Sequence, residues 1–326
     1  MNEYVENISF LDKDAIKAGN DHLEFIIVPA WGSNLISLVE KKNNKELLRV
    51  PSSASQFWDK PVLFGTPILF PPNRIDQGTF TFNERVYQFD RNEVDKDNHI
   101  HGFVHTREWS VAKAEVIDDK VIIETEFNSS RYEEVLRQFP HHFTLKMTFT
   151  LDRASIHKDA TVINKSDRPF PWGLGYHTTF LFPEDHSSFS LSAEKRWKLN
   201  ERNLPTGELE KIEYKEKLLT GMILKNHPLD DVFLSSVEKS GINQAIVVNE
   251  PAGIKITYKA DNNFKFWVVY NNDGNQQFVC PEPYTWVTNA PNLDLDYSTT
   301  GLQVIEPKQE KTVMTKIMIS NNDNLN

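Results

Sequence analysis

The sequence predicts an all-β protein, a large antiparallel β-sandwich. Three observations predict it: alternating apolar and polar residues dominate, helical periodicity is weak, and no β–α–β rhythm indicates a parallel sheet. The clearest strand is 142–151 (HFTLKMTFTL), in which every second residue from Phe143 to Leu151 is apolar. A sandwich of 326 residues needs wide, curved sheets, and we expect their concave face to form a pocket.

Further strand signals recur along the chain, joined mostly by short turns that carry Asn, Asp or Gly. Residues 79–89 (TFTFNERVYQF) are typical of a hairpin with its turn at Asn83–Glu84. Helix is predicted only for 131–139, which can form two turns before Pro140 ends it. The remaining predicted strands are 22–28, 33–40, 120–127, 157–163, 188–192, 244–249, 253–259, 264–270 and 312–319.

Segments richer in Pro, Asn and charge are predicted to be loops over the sheets, where functional side chains are often carried. No internal repeat or linker divides the chain, so we expect one domain over 1–326. The predicted loops are 51–78, 90–109, 183–187, 194–207 and 282–299.

Composition limits the partners and the compartment. The net charge of −10 argues against nucleic acid, because phosphate binding needs clustered Lys and Arg. A single cysteine, Cys280, excludes an intramolecular disulfide and is typical of a reducing, cytoplasmic setting. The N-terminal MNEYVENISF lacks the pattern of a secretory signal, and no apolar stretch has the length of a membrane span. The oligomeric state is not indicated.

A histidine stands on an unusual strand at 173–180 (GLGYHTTF). If this segment is extended, Trp172, Leu174 and Tyr176 point to one face and His177 to the other. The glycines 173 and 175 share the face of the histidine and leave a bare floor beside it. A glycine within a strand often marks the close approach of a ligand or another backbone. We therefore regard His177 as a candidate functional residue.

Three more histidines lie in 98–105 (NHIHGFVH). His99 and His101 share a face if the segment is extended, and His105 lies four residues further on. A His-x-His pair can begin a metal site, but no carboxylate partner stands at a recognisable spacing. Donation of hydrogen bonds to a ligand is the favoured interpretation of these imidazoles.

Charged residues next to apolar runs complete the candidates. Arg74, in PPNRI, can present a fork of donors or pair with Asp76. In HPLDDVF, Asp230 and Asp231 point different ways if extended, so at most one need face a pocket. Glu282, in FVCPEPYTW (278–286), lies between two prolines and beside aromatic residues, a setting that a surface glutamate does not need.

Together and in this order, the motifs resemble those of the aldose 1-epimerase family, also called galactose mutarotases, over nearly the whole chain. The anchors are NRI at 73–75, N-x-x-HG at 98–102 with Trp109 downstream, GxH at 175–177, LDDVF at 229–233 and the Glu of CPEPYTW. Three departures are typical of a divergent branch: Asp231 where many relatives carry His, GLGY before His177, and the extra histidines His99 and His105 after Asn98.

The resemblance implies the family's antiparallel supersandwich and an enzyme that interconverts the α and β anomers of a hexose. It further implies that Glu282 is the general base and His177, as imidazolium, the general acid. Arg74, His101 and Asp230 would hold the sugar, without a metal or organic cofactor. Trp172, Trp267 and Trp286 could form a stacking floor for the sugar or simply belong to the core.

Three alternatives remain open. A glycoside hydrolase would need two carboxylates, for which Glu282 and Asp230 could be considered. A hexose-6-phosphate 1-epimerase would need cations near C6 of the sugar, such as Lys195, Arg196 and Arg202. A non-catalytic sugar-binding protein would bind without exchanging anomers.

Overall fold

Strands make up about half of the computed structural model, which describes residues 2–183 and 185–321. The strands of the N-terminal half are β1 (Tyr4–Phe10), β2 (Lys13–Gly19), β3 (Leu23–Val28), β4 (Asn34–Glu40), β5 (Lys45–Glu46), β6 (Ile68–Leu69), β7 (Arg74–Asp76), β8 (Thr79–Phe82), β9 (Arg85–Gln88), β10 (Asn98–Ile100), β11 (Ser110–Ile117), β12 (Lys120–Asn128), β13 (Phe143–Asp152) and β14 (Ser155–Asn164). Those of the C-terminal half are β15 (Phe170–Trp172), β16 (Gly175–Tyr176), β17 (Phe180–Leu181), β18 (Ser187–Leu191), β19 (Ala193–Leu199), β20 (Pro205–Glu210), β21 (Asp230–Ser235), β22 (Gln244–Asn249), β23 (Ile254–Ala260), β24 (Phe266–Tyr270), β25 (Phe278–Tyr284), β26 (Gln303–Ile305) and β27 (Glu310–Asn321).

The α-helices are short, four to six residues each. None of the helices in the described ranges has the length and apolar character that crossing a membrane would require. The predicted helix over 131–139 forms as the second of them, and the helices are α1 (Ala54–Asp59), α2 (Glu133–Gln138), α3 (Lys215–Thr220), α4 (Val237–Ser240) and α5 (Tyr297–Thr300).

Two large sheets and a smaller N-terminal sheet make up the all-β architecture that the sequence predicts. The first sheet has the order β11-β12-β13-β14-β27-β23-β22-β18. The second has the order β20-β19-β21-β24-β25-β16-β6, and β17 also pairs with β25. Strands β1 to β5 form the third, a meander, and every pair of strands in these sheets is antiparallel.

The core lies between the first two sheets. On β13, the apolar residues from Phe143 to Leu151 are all buried, as their alternation predicts. Tyr258 of the first sheet contacts Trp267 of the second, with ring centroids 5.7 Å apart. Because side chains alternate along a strand, the neighbours of Trp267 on β24 point away from the first sheet, toward a pocket.

Several predicted loops contain strands. The segment 194–207 holds most of β19, 90–109 holds β10, and 51–78 holds α1, β6 and β7. Glu282 begins the predicted loop 282–299, but it lies inside β25, in the middle of the second sheet. Proline had suggested a loop because it cannot donate to a sheet ladder. The candidate active site explains how β25 tolerates two prolines.

Candidate active site

A cavity of about 380 Å³ opens on the face of the second sheet that points away from the first. It brings together the five residues that the sequence singles out: Arg74, His101, His177, Asp230 and Glu282. They come from distant parts of the chain, and β7, β10 and the segment before β6 cover the sheet at this point. The other lining residues are Lys60, Val62, Leu63, Asn73, Glu93, Asp95, Lys96, Ile100, Val268 and Tyr270.

A gap in the hydrogen-bonded ladder creates the floor of this pocket. On one side, β25 pairs with β24 from Cys280 to Tyr284, with Glu282 opposite Val268. On its other side, Val279 pairs with Phe180 and Tyr284 pairs with Gly175, while no described strand pairs with 280–283. Pro281 and Pro283 lie in this gap. Because no strand pairs with them on this side, the N–H that each proline lacks costs no hydrogen bond of the sheet.

The chain that leaves the gap carries His177. The backbone N–H groups of His177 and Thr179 donate to the carbonyls of Pro67 and Gly65, at 3.0 Å each. Tyr176 points into the sandwich, where its hydroxyl lies 3.7 Å from the sulfur of Met147. The predicted alternation is therefore confirmed for Tyr176 and His177, although regular strand is limited to β16 and β17.

Aromatic rings occupy the bare floor that the two glycines were expected to leave beside His177. A Cβ at Gly175 would lie 2.1 Å from the ring of Tyr284, and one at Gly173 would lie 2.3 Å from that of Trp286. Both distances are far below van der Waals contact. Because Gly173 and Gly175 lack side chains, the rings of Trp286 and Tyr284 fit against them, and Tyr284 lies beside Glu282.

His177 and Glu282 meet across the gap. Nε2 of His177 lies 3.2 Å from Oε1 of Glu282, and the side chains are 6% and 2% exposed. Burial raises the pKa of Glu282 well above its usual range and lowers the pKa of His177 to about 3. Burial therefore favours a neutral pair with its proton on Glu282, whereas the sequence-based hypothesis had an imidazolium beside a carboxylate.

Tyr284 is a site residue that the sequence analysis noted only as an aromatic neighbour. Its hydroxyl donates to Oε2 of Glu282 and lies 3.5 Å from Nδ2 of Asn73. After the dominant effect of burial, this bond is the strongest influence on the pKa of Glu282, and it lowers that pKa. The sequence could have indicated this contact, because residues 282 and 284 lie on the same face of a strand.

Arg74 is held by a carboxylate that the sequence analysis missed. Its Nε lies 2.9 Å and 3.1 Å from the two carboxylate oxygens of Glu93, and its second terminal nitrogen also donates, at 3.0 Å. The alternative partner, Asp76, instead pairs with Arg202 at 2.7 Å. Such a fork-to-fork contact fixes the guanidinium plane. No local pattern distinguishes Glu93 from other charged residues of its segment.

The NRI and N-x-x-HG motifs are neighbours in space because β7 pairs with β10, with Arg74 opposite Ile100. The N–H of His101 donates to the carbonyl of Asn73 at 3.0 Å. Asn73 and His101 both have positive φ, 55° and 66°. Residues other than glycine rarely adopt this conformation, and such residues cluster at functional sites.

The adjacent aspartates separate, as predicted. Asp230, opposite Tyr270 on β24, lines the pocket and accepts a bond from Asn203. Asp231 points to the other face and pairs with Arg196 at 3.3 Å. Asp230 is exposed, so it contacts the pocket at its mouth.

The other singled-out side chains do not line the pocket. His99 lies between Phe89 and Phe103, and its Nδ1 is 2.7 Å from the carbonyl of Asp90. The ring of His105 stands behind that of His101, with centroids 6.4 Å apart. The three tryptophans proposed as a sugar floor are buried core residues: Trp172, Trp267 and Trp286.

Metal-ligand geometry arises at a place other than the His-x-His pair. In the described residues, one group places its donor atoms within 4.8 Å of one another: His177, Cys280 and Glu282. This donor set suits zinc. However, Cys280 already contacts the hydroxyl of Thr179 at 3.3 Å and does not line the pocket, so the protein's own groups satisfy it.

A β-sandwich whose open pocket joins a buried carboxyl to a buried imidazole defines a class of protein suited to proton transfer. Comparison with known proteins narrows the class. The family model described as Aldose 1-epimerase matches residues 14–318. The chain therefore belongs to the aldose 1-epimerase family. Membership indicates a carbohydrate epimerase with a general aldose epimerase role.

Solved structures also resemble this chain over nearly its whole length. A galactose mutarotase-like protein from Clostridium acetobutylicum is 28% identical, with a TM-score of 0.93 over 98% of this chain and 99% of that one. A galactose mutarotase-like protein from Lactobacillus casei is 20% identical, with a TM-score of 0.73 over 94% and 100%. A galactose 1-epimerase from Lactobacillus acidophilus is 13% identical, with a TM-score of 0.75 over 98% and 99%. The last two show a shared fold.

Proposed function

We propose that this protein interconverts the α and β anomers of a hexose by acid–base ring opening, with Glu282 as general base and His177 as general acid. The observation that carries the proposal is the 3.2 Å contact between Nε2 of His177 and Oε1 of Glu282 in an open pocket. The two reacting oxygens of an aldose ring are bonded to the same carbon. A base and an acid this close can therefore serve both oxygens from one side of the sugar.

The chemistry needs one proton in the pair, and the reactive form is the ion pair. The Glu282 carboxylate takes the proton of the C1 hydroxyl while the His177 imidazolium gives its proton to the ring oxygen. The bond from C1 to the ring oxygen breaks, and C1 becomes an aldehyde. The aldehyde rotates, and the reverse steps close the ring on its other face.

Ring opening returns the pair to its neutral form. The neutral form and the ion pair hold the same number of protons, so titration does not convert one into the other. Burial favours the neutral form, whereas the Tyr284 hydroxyl and the Arg74 charge lower the pKa of Glu282 and favour its carboxylate. The hydroxyl and the charge thus reduce the energy by which burial disfavours the ion pair, the form that begins each ring opening.

The remaining lining residues would keep the open-chain sugar in place. Arg74, held by Glu93, and the imidazole of His101 can donate to sugar oxygens, and Asp230 can accept from hydroxyls. Retention matters because the aldehyde must rotate without leaving the pocket. Groups that hold a reactant in the right orientation supply a large part of an enzyme's rate acceleration.

The structure bears on the alternatives. Two candidate phosphate-binding cations are engaged elsewhere: Arg196 pairs with Glu210 at 2.7 Å, and Arg202 pairs with Asp76. Neither arginine lines the pocket, whereas Lys60 and Lys96 do, so the panel below includes phosphorylated sugars. A glycoside hydrolase would need Asp230 as second carboxyl, but it lies exposed at the mouth of the pocket, whereas His177 lies against Glu282.

NMR exchange spectroscopy on a panel of free and 6-phosphorylated aldoses tests the proposal. We expect exchange cross-peaks between anomers of at least one free hexose at catalytic protein concentration, above the spontaneous rate. Release of reducing sugar from oligosaccharides would support the hydrolase instead. Binding without cross-peaks would indicate a non-catalytic sugar-binding protein.

A further inference from the structure

A lysine is buried behind the active site, and no carboxylate of residues 2–183 or 185–321 pairs with it. Lys158 lies on β14 with none of its surface exposed, on the face that points into the sandwich. Its ammonium nitrogen lies 3.0 Å from the hydroxyl of Tyr258. It also stands 3.9 Å from the ring centroid of Tyr176 and 4.9 Å from that of Tyr258. In the described part of the chain, no Asp or Glu forms an ion pair with it.

Such a residue opposes folding. Burial holds the pKa of Lys158 well below its usual range, because the charged form loses its hydration. An unpaired cation or amine in an apolar core is less stable than a well-packed hydrophobic side chain of similar volume. The proposed proton transfer uses neither Lys158 nor Tyr258, so their place in the core calls for another reason.

The lysine is connected to the segment that carries His177. The Thr178 hydroxyl donates to the Tyr258 hydroxyl at 3.3 Å, so Tyr258 receives bonds from both Lys158 and Thr178. Tyr176, on the other side of His177, lies beneath the ammonium group. The residues before and after His177 are thus both held from the core side by one lysine of the first sheet.

We propose that Lys158 is a positioning residue, which acts through Tyr258 and Tyr176 to fix the 176–178 segment and so aim the His177 imidazole at Glu282. The inference rests on the proposed function for its kinetic consequences. The gap beside β25 leaves this segment without a neighbour on one side: 177–179 has left the ladder of β25, and its backbone bonds run to Gly65, Pro67 and Arg49. The contact from the first sheet adds a constraint from the core side, which the interrupted pairing with β25 does not supply.

Lys158→Met, which keeps the length and removes the amine, tests this. We expect a thermal midpoint equal to or above that of the wild type, a kcat at least about tenfold lower and a KM within about threefold, because aim is lost while sugar contacts remain. Tyr258→Phe should show the same fall in kcat with little change in KM. The double variant should lose little more than either single variant, because the two act as one unit. Lys146→Met, on the exposed side of the adjacent β13, is the matched control and should change nothing.

A folded Lys158→Met protein with kcat within about twofold of the wild type would overturn the inference. If that variant does not fold, Tyr258→Phe decides, and full kcat there overturns it. If the wild type exchanges no anomers, the proposed function fails, and the imidazole signals of His177 in nuclear magnetic resonance decide the positioning separately. We expect Lys158→Met to shift or broaden them, and unchanged signals would contradict the proposal.

Discussion

The hydroxyl of Tyr284 has a larger effect on the pKa of Glu282 than any other influence except burial. It donates to Oε2 of Glu282, while His177 contacts Oε1, so the carboxyl has a separate partner for each oxygen. A carboxylate with donors on both oxygens is stabilised relative to its acid. Tyr284 would thus supply the bias toward the reactive ion pair.

The pH profile of kcat/KM tests this role. We expect a broad bell whose acid limb lies well below neutral, where the pair gains a second proton, because the pKa of His177 is about 3. The alkaline limb marks the loss of the only shared proton. Tyr284→Phe removes a donor that lowers the pKa of Glu282, so its alkaline limb should move to higher pH while the plateau falls about tenfold or more.

The exposed Tyr297→Phe serves as control and should leave both limbs in place. An alkaline limb that stays where it was, or moves to lower pH, in Tyr284→Phe would show that this hydroxyl does not govern Glu282.

At the scale of elements, the interrupted pairing between β16, β17 and β25 makes the site. Glycines 173 and 175 leave room for the rings of Trp286 and Tyr284 to contact the backbone. The sequence predicted the close approach of a ligand or another backbone at these glycines, but not the aromatic rings that lie there. One strand alone does not show which ring its neighbour presents.

Gly175→Ala tests the fit of these elements. The new Cβ would lie 2.1 Å from the Tyr284 ring, which sits beside Glu282 and cannot retreat cheaply. We expect a stability loss of about 1–3 kcal/mol and a clear fall in kcat. Gly253→Ala is the matched control: its Cβ meets open space at a φ of +62°, so it should cost about 1 kcal/mol and leave kcat unchanged. A fully active Gly175→Ala protein would contradict the account.

At the scale of the whole molecule, patterns of period two predict the fold well. The alternation on β13 and the turn at Asn83–Glu84 are local signals, and the structure confirms both. The motifs likewise identify the five pocket residues. Glu93 and the Lys158 contact were not predicted, because they depend on pairings between distant strands. Burial, which decides the ionisation of Glu282 and His177, also arises only from the assembled sheets.

Buried imidazoles should make the molecule sensitive to acid. Burial lowers the pKa of His99, His105 and His141 to about 4 each, from an ordinary 6.5. Below pH 6.5 the unfolded chain therefore binds more protons than the native one, and stability falls with pH. Each of these residues should cost about 2 kcal/mol by pH 4.5. Glu46 and Glu282, whose pKa burial raises, partly offset this in the same window.

Urea unfolding at pH 7 and pH 4.5 measures the effect, and we expect a clearly lower midpoint at pH 4.5. His99→Gln should reduce the difference, whereas the exposed His186→Gln should not. Equal midpoints at the two values would show that the imidazoles are not held neutral by the fold.

The most direct test of the central claim is the anomer exchange rate of Glu282→Gln, measured by NMR on the hexose that the wild type prefers. The amide keeps the shape of the side chain but cannot take a proton from the C1 hydroxyl. We predict a folded protein, with a thermal midpoint no lower than that of the wild type, whose exchange rate is reduced about 1,000-fold. A folded Glu282→Gln protein that exchanges anomers at the wild-type rate would contradict the account.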